Sequence, residues 1–138
     1  MRINCTLAVA GLIWLAFFPS AALTWTSTTD RGLTVFIAET PELTLSLVCD
    51  TDERHGVNAS ALHLSTQDGS LFSGPTAFRF PSGDVSVEAR YGSILKTAVP
   101  AGQWQALVSG LKDEPTFVVQ LGDTDARFQV GSPLLADC

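Results

Sequence analysis

The densest reactive stretch of the chain is Cys49-Asp50-Thr51-Asp52-Glu53-Arg54-His55-Gly56, where three carboxylates and an imidazole fall within six residues. Oxygen donors at that density suit calcium, and His55 adds a nitrogen that zinc accepts. The spacing fits no EF-hand loop. A metal reading therefore asks Asp50, Asp52, Glu53 and His55 to converge in space, against the plainer reading of a solvated hairpin loop after an inward-facing cysteine. Asp123-Thr124-Asp125 reads as a turn.

His55 and His63 are the two imidazoles. His63 stands between Leu62 and Leu64 and is expected to point away from the leucine face. Two separated histidines make a poor zinc or copper site, which takes three or four ligands. No G-x-S-x-G, H-E-x-x-H or G-x-x-x-x-G-K-[ST] motif is present, and no catalytic residue and no cofactor is assigned. A serine meeting a histidine in space is the hydrolytic route left open. Asn58-Ala59-Ser60 is a glycosylation sequon.

The elements that must carry these residues read as strands. In Leu43-Thr-Leu-Ser-Leu-Val-Cys49 the leucines and the cysteine share one face, and period two over seven residues predicts a half-buried strand. Val85–Tyr91 alternates in the same way, with Val85, Val87, Ala89 and Tyr91 expected inside. Leu33–Ala38, Ala59–Ser65, Thr76–Phe80, Ile94–Val99, Thr116–Leu121 and Ala126–Val130 are further candidates. Turn chemistry separates them at Gln67-Asp68-Gly69, Pro81–Asp84, Tyr91-Gly92-Ser93 and Gly122–Asp125. About eight short strands at such spacing predict an all-β fold, a small antiparallel β-sandwich with one or two short helices.

One helix is predicted where Trp104, Leu107, Val108 and Leu111 repeat at i, i+3, i+4 and i+7. Its expected task is to cover an open end or edge of the sheets. The sharper reading makes Trp104, Leu107 and Leu111 a contact surface. Ser132-Pro133 has the form of an N-cap followed by a first-turn proline, predicting a final helical turn.

Residues 1–22 have the layout of a secretory signal peptide. Arg2 supplies the positive start, Leu7–Phe18 is an apolar run of 12 residues, Pro19 breaks any helix, and Ser20-Ala21-Ala22 offers small residues before a cut. The rival, an uncleaved anchor, requires about 20 apolar residues. Removing 22 of the 138 residues leaves 116, expected as a single β-sandwich domain over residues 23–138. Cys49 and Cys138 then remain, and in an oxidising compartment such a pair is expected to form one disulfide.

Hydrophobic residues make up 46% of the chain and charged residues 16%, which excludes a disordered polymer. A net charge of −6, from 14 acids and 8 bases, argues against nucleic acid or an anionic membrane surface as partner.

Trp25 soon after the leader, the Leu43–Cys49 strand, and the ending Phe128-Gln-Val130-Gly131-Ser132-Pro-Leu-Leu135-Ala-Asp-Cys138 together resemble small exported proteins of proteobacteria. These group near the invasion-associated locus B family and an accessory family of type VI secretion. The resemblance implies a β-sandwich whose last segment returns to the sheet, and it implies no catalytic or binding residues.

The expectation is thus an exported, non-catalytic binding or accessory protein, periplasmic or secreted, acting on a protein partner, with no integral membrane segment once the leader is removed. Alternatives are a metal protein or enzyme built on Asp50–His55, and an inhibitor of an exported hydrolase that inserts the loop Asp68–Pro75.

Overall fold

The computed structural model describes residues 22–138. The leader expected over residues 1–22 lies outside these, except for Ala22. Nine strands and one α-helix follow in order: β1 (Thr26–Asp30), β2 (Leu33–Glu39), β3 (Leu43–Cys49), β4 (Ala61–Thr66), β5 (Gly74–Phe80), β6 (Gly83–Ala89), β7 (Ser93–Leu95), α1 (Ala101–Asp113), β8 (Thr116–Leu121) and β9 (Thr124–Gln129). A single 3₁₀ turn, Lys96–Ala98, links β7 to α1. The strands form two antiparallel sheets, β1-β2-β3-β4-β7 and β6-β5-β8-β9, as the alternation predicts.

Alternation also sets which side chains meet between the sheets. Leu43, Leu45 and Leu47 of β3 and Leu62 and Leu64 of β4 are buried on the inner face of the first sheet, with Leu45 opposite Leu64 and Leu47 opposite Leu62. The second sheet answers with aromatic rings. Phe117 and Phe128 are cross-strand partners with ring centroids 5.0 Å apart, and Phe80 stands 5.4 Å from Phe117. Each fully buried leucine or phenylalanine contributes about 1.5–3 kcal/mol over its exposed state.

The helix serves as a plug. It packs against β6, the edge of the second sheet, and against the 3₁₀ turn that follows β7, the edge of the first. Trp104, Leu107 and Leu111 are only 3%, 0% and 1% exposed and belong to the common core. The reading of these three as a contact surface is therefore corrected, because the stripe is already occupied by the molecule's own interior. Gly110 is the point of closest approach: a Cβ there would collide with the Phe80 ring.

One strand was not expected, and three further expectations are revised. β1, Thr-Ser-Thr-Thr-Asp, is exposed at every residue and offers no apolar period to detect. The strand expected over Ile94–Val99 stops at Leu95, where the 3₁₀ turn begins before Pro100. No helical turn follows Ser132-Pro133. The tail instead alternates, with Leu134 and Ala136 buried and Leu135 exposed, because both of its ends are tied: Gly131 N–H donates to the Leu23 carbonyl at 2.8 Å, and Cys138 is bonded to Cys49. Finally, Tyr91 lies outside the core and is 78% exposed.

The disulfide Cys49–Cys138 joins the end of a central strand to the tail across 89 positions, with the Cα atoms 5.0 Å apart. Among the described residues no helix is long and apolar enough to cross a membrane.

Candidate functional site

The acidic loop after Cys49 is a structural device. Asp50 is buried, and its two carboxylate oxygens accept the backbone N–H groups of Ala59 (2.9 Å) and Arg54 (3.1 Å). Its own N–H donates to Ser60 Oγ at 2.9 Å. The Ala59 bond first, then the Arg54 bond, holds the Asp50 carboxyl below its ordinary pKa. Asp52, Glu53 and His55 stay exposed. Among the described residues no three His, Cys, Asp or Glu side chains gather closely enough to hold a metal ion. The metal reading of Asp50, Asp52, Glu53 and His55 is corrected accordingly: the one buried carboxylate closes a loop.

A serine and a histidine do meet. His63 Nδ1 lies 2.8 Å from Ser93 Oγ, and in register His63 stands between Ser46 on β3 and Ser93 on β7. The imidazole is half-buried on the outer face of the first sheet, as its place between two inward leucines predicts, and burial lowers its pKa. Its cross-strand neighbours include no carboxylate to orient the ring, which a nucleophilic triad requires. What the geometry supplies is a neutral cross-strand hydrogen bond between the two outermost strands at this edge.

Of the large apolar residues that stand exposed, Val57, Leu71, Tyr91, Leu95 and Leu135, two fall beside one turn, Leu71 and Tyr91. The chain between β6 and β7 turns through Tyr91 and Gly92, both with positive φ (48° and 72°), and the flanking Arg90 and Ser93 exchange two backbone hydrogen bonds of 2.9 and 3.0 Å. This is the pattern of a type I′ hairpin turn, which favours Asn-Gly or Gly-Gly. A tyrosine in that first position carries a left-handed backbone at a cost of about 1–2 kcal/mol. The β6 alternation therefore ends at Ala89, and Tyr91 is turned out to solvent.

The neighbouring loop presents Leu71 beside this turn. Leu71 is 64% exposed, and its Cδ2 would lie 3.3 Å from a Cβ placed on Gly92. Both loops are fastened. Gly92 N–H donates to the Phe72 carbonyl at 2.7 Å, Tyr91 N–H to Ser73 Oγ at 2.8 Å, and Leu64 N–H to the Gly92 carbonyl at 2.8 Å. Phe72 packs partly buried against the core beneath them. The stretch just before Leu71 is tied as well: Asp68 Oδ1 accepts from Thr66 Oγ1 (2.6 Å) and from Ser70 N–H (3.0 Å), and the Thr66 bond foremost lowers the Asp68 pKa to about 2. Two large side chains thus stand exposed on loops whose backbones are braced by hydrogen bonds.

No protein-family model matches the chain, and neither the curated proteins nor the solved structures yield a match. Leu71 and Tyr91 were both within reach of sequence reading. The Tyr91-Gly92-Ser93 turn signal conflicts with extending the alternating strand through Tyr91, and glycine-driven turn chemistry prevails. Leu71 is an apolar residue inside the polar loop Ser65–Pro75.

Proposed function

We propose that the chain is an exported, non-catalytic binding or accessory protein that works by protein–protein contact in the periplasm or outside the cell. The observation that carries this reading is the pair Leu71 and Tyr91, exposed on either side of Gly92 on two loops braced by backbone hydrogen bonds. Exposed aromatic and aliphatic anchors that need no reordering are what interface hot spots are made of. The leader-like residues 1–22 and the Cys49–Cys138 bond support export, because such bonds persist in oxidising compartments. The partner is expected to offer an apolar recess for Tyr91.

The test uses the native chain in its host. A photo-crosslinking residue at position 91 should give one defined adduct, while the same probe at exposed Gln103 gives none. Intact mass of the exported protein should start at Leu23 with no titratable thiol. A chain that begins at Met1 with two free thiols, or a silent probe at position 91, overturns the proposal.

A second reading has its own observation. The Thr66–Ser70 brace, which leads directly into Leu71, suits a loop inserted into a cleft, as in an inhibitor of an exported hydrolase. Protection of the Asp68–Pro75 loop from proteolysis only in the complex would distinguish this case.

A further inference from the structure

A strand at the rim of a sheet presents unpaired N–H and C=O groups, and proteins guard such edges by shortness, charge, proline, bulges or a covering element. Of the four edges here, three are guarded. β6 packs against α1, and β7 has only three residues. β9 carries exposed Asp125 and Arg127, and its last carbonyl, that of Gln129, accepts the Leu23 N–H at 2.7 Å. β1 has none of these devices. Its five residues, Thr-Ser-Thr-Thr-Asp, are all exposed, pair with β2 in an unbroken ladder, and hold one charge at the end, Asp30.

The turn after β1 fixes which of its groups face outward. Arg31 and Gly32, with φ of 50° and 82°, make a two-residue hairpin turn, which is closed by a hydrogen-bonded Asp30–Leu33 pair. Alternation then makes Thr28–Val35 and Thr26–Ile37 hydrogen-bonded pairs as well. Ser27 and Thr29 therefore turn their N–H and C=O groups away from β2. Among the described residues, no hydrogen bond from outside the ladder reaches these groups.

The edge is complementary to its own copy. A second β1 laid antiparallel about Thr28 sets Ser27 opposite Thr29 of the second copy, and Thr29 opposite its Ser27. All five residues then overlap and every outward group is paired, whereas centring on Ser27 or Thr29 leaves part of each strand unmatched. Asp30 faces Thr26 of the second copy, so the two carboxylates sit at opposite ends and do not repel. β1 bears hydroxyls and no apolar side chain, and a second β1 offers the same chemistry; cross-strand threonine pairs are favourable.

We propose that β1 is a self-association edge, pairing antiparallel with β1 of a second copy about Thr28 and joining the two β1-β2-β3-β4-β7 sheets into one. The contact is small and polar, so it belongs to the weak class of interfaces. Leu71 and Tyr91 stand beside β4 and β7, toward the other edge of that sheet, and the self-association does not depend on them.

The test uses the exported, disulfide-bonded protein. Its mass in sedimentation equilibrium should rise toward twice the monomer as concentration increases to about 1 mM. Thr28 and its copy form a non-hydrogen-bonded pair with Cα atoms about 4.5 Å apart, within the reach of a disulfide. Thr28→Cys should therefore give a covalent dimer under mild oxidation. Ser27→Cys should not, since its copy lies more than about 7 Å away. Ser27→Pro keeps the ladder to β2 but removes two of the four intermolecular hydrogen bonds, and should weaken association at least about tenfold. A monomer at every concentration, equal crosslinking at positions 27 and 28, or undiminished association of Ser27→Pro would each overturn the proposal. A Thr28→Cys chain that joins a foreign protein in host extract, and never itself, would also overturn it and assign the edge to another partner. If Ser27→Pro does not fold, the comparison of the two cysteine variants decides alone.

Discussion

The backbone N–H of Tyr91 donates to the Ser73 hydroxyl at 2.8 Å, so the residue with the least comfortable backbone at the loop end is fastened to the neighbouring loop. Left-handed strain in a side chain that is 78% exposed has no packing gain to offset it. Replacing Tyr91 by Asn should therefore stabilise the fold by about 1 kcal/mol, because Asn-Gly suits a type I′ turn. The same substitution should abolish partner contact. Urea denaturation of the variant checks the first half, and crosslinking from a photoreactive residue placed at Leu71, with and without Tyr91→Asn, checks the second.

Gly92 should tolerate nothing larger. A Cβ there would lie 2.8 Å from the Leu64 carbonyl oxygen, on a backbone with φ of 72°. Gly92→Ala is expected to cost about 2–3 kcal/mol, by strain and by displacing the loop end. Thermal denaturation measures the loss, and a stability within about 0.5 kcal/mol of the parent would contradict the geometry.

Gly110 tests the helix plug by the sign of its effect. In an exposed helix interior Gly→Ala gains about 1 kcal/mol. Here the added methyl meets the Phe80 ring, and overpacking costs about 1–3 kcal/mol. Gly110→Ala should thus destabilise the protein, whereas Gly102→Ala, with open space around it, should not. Chemical denaturation of the pair gives the comparison.

Closing a loop of 89 positions restricts the unfolded chain by about 4–5 kcal/mol in the entropic account. Reduction, or the Cys49→Ser/Cys138→Ser double variant, should lower the unfolding free energy by that order. Parallel urea titrations with and without reductant would measure it.

Acid should weaken the fold in two stages. His63 has a folded-state pKa below its usual 6.5, so the unfolded chain takes up the proton first and stability falls as pH drops through 6.5. Asp50 and Asp68 are held below 3.8, Asp68 at about 2, so their contribution is complete above about pH 4 and is lost as pH falls toward 2. His63→Gln should remove the first stage and leave the second, as followed by stability measured against pH.

Much of the architecture was legible because strands with one buried face write a period of two. β3 and β8 fall at their predicted ends, and the amphipathic stripe of α1 was found at its full length. β1 was hidden because a strand exposed on both faces has no apolar rhythm and is held by its pairing with β2. Asp50 misled for a different reason: its carboxylate accepts two backbone hydrogen bonds from residues four and nine positions on, a loop closure that composition does not distinguish from a ligand cluster. The exposed pair Leu71 and Tyr91 was written in local signals, yet their neighbourhood depends on how the loops of two sheets pack.

The covalent tie between β3 and the tail also decides how the molecule bears load. A pull between the β1 end and Cys138 travels through the sulfur bridge and bypasses every residue from Asp50 to Asp137. Only β1, β2 and β3 can then peel away, while β4 through β9 with α1 remain slack inside a closed ring, so a single-molecule extension trace should lengthen severalfold once the bridge is reduced.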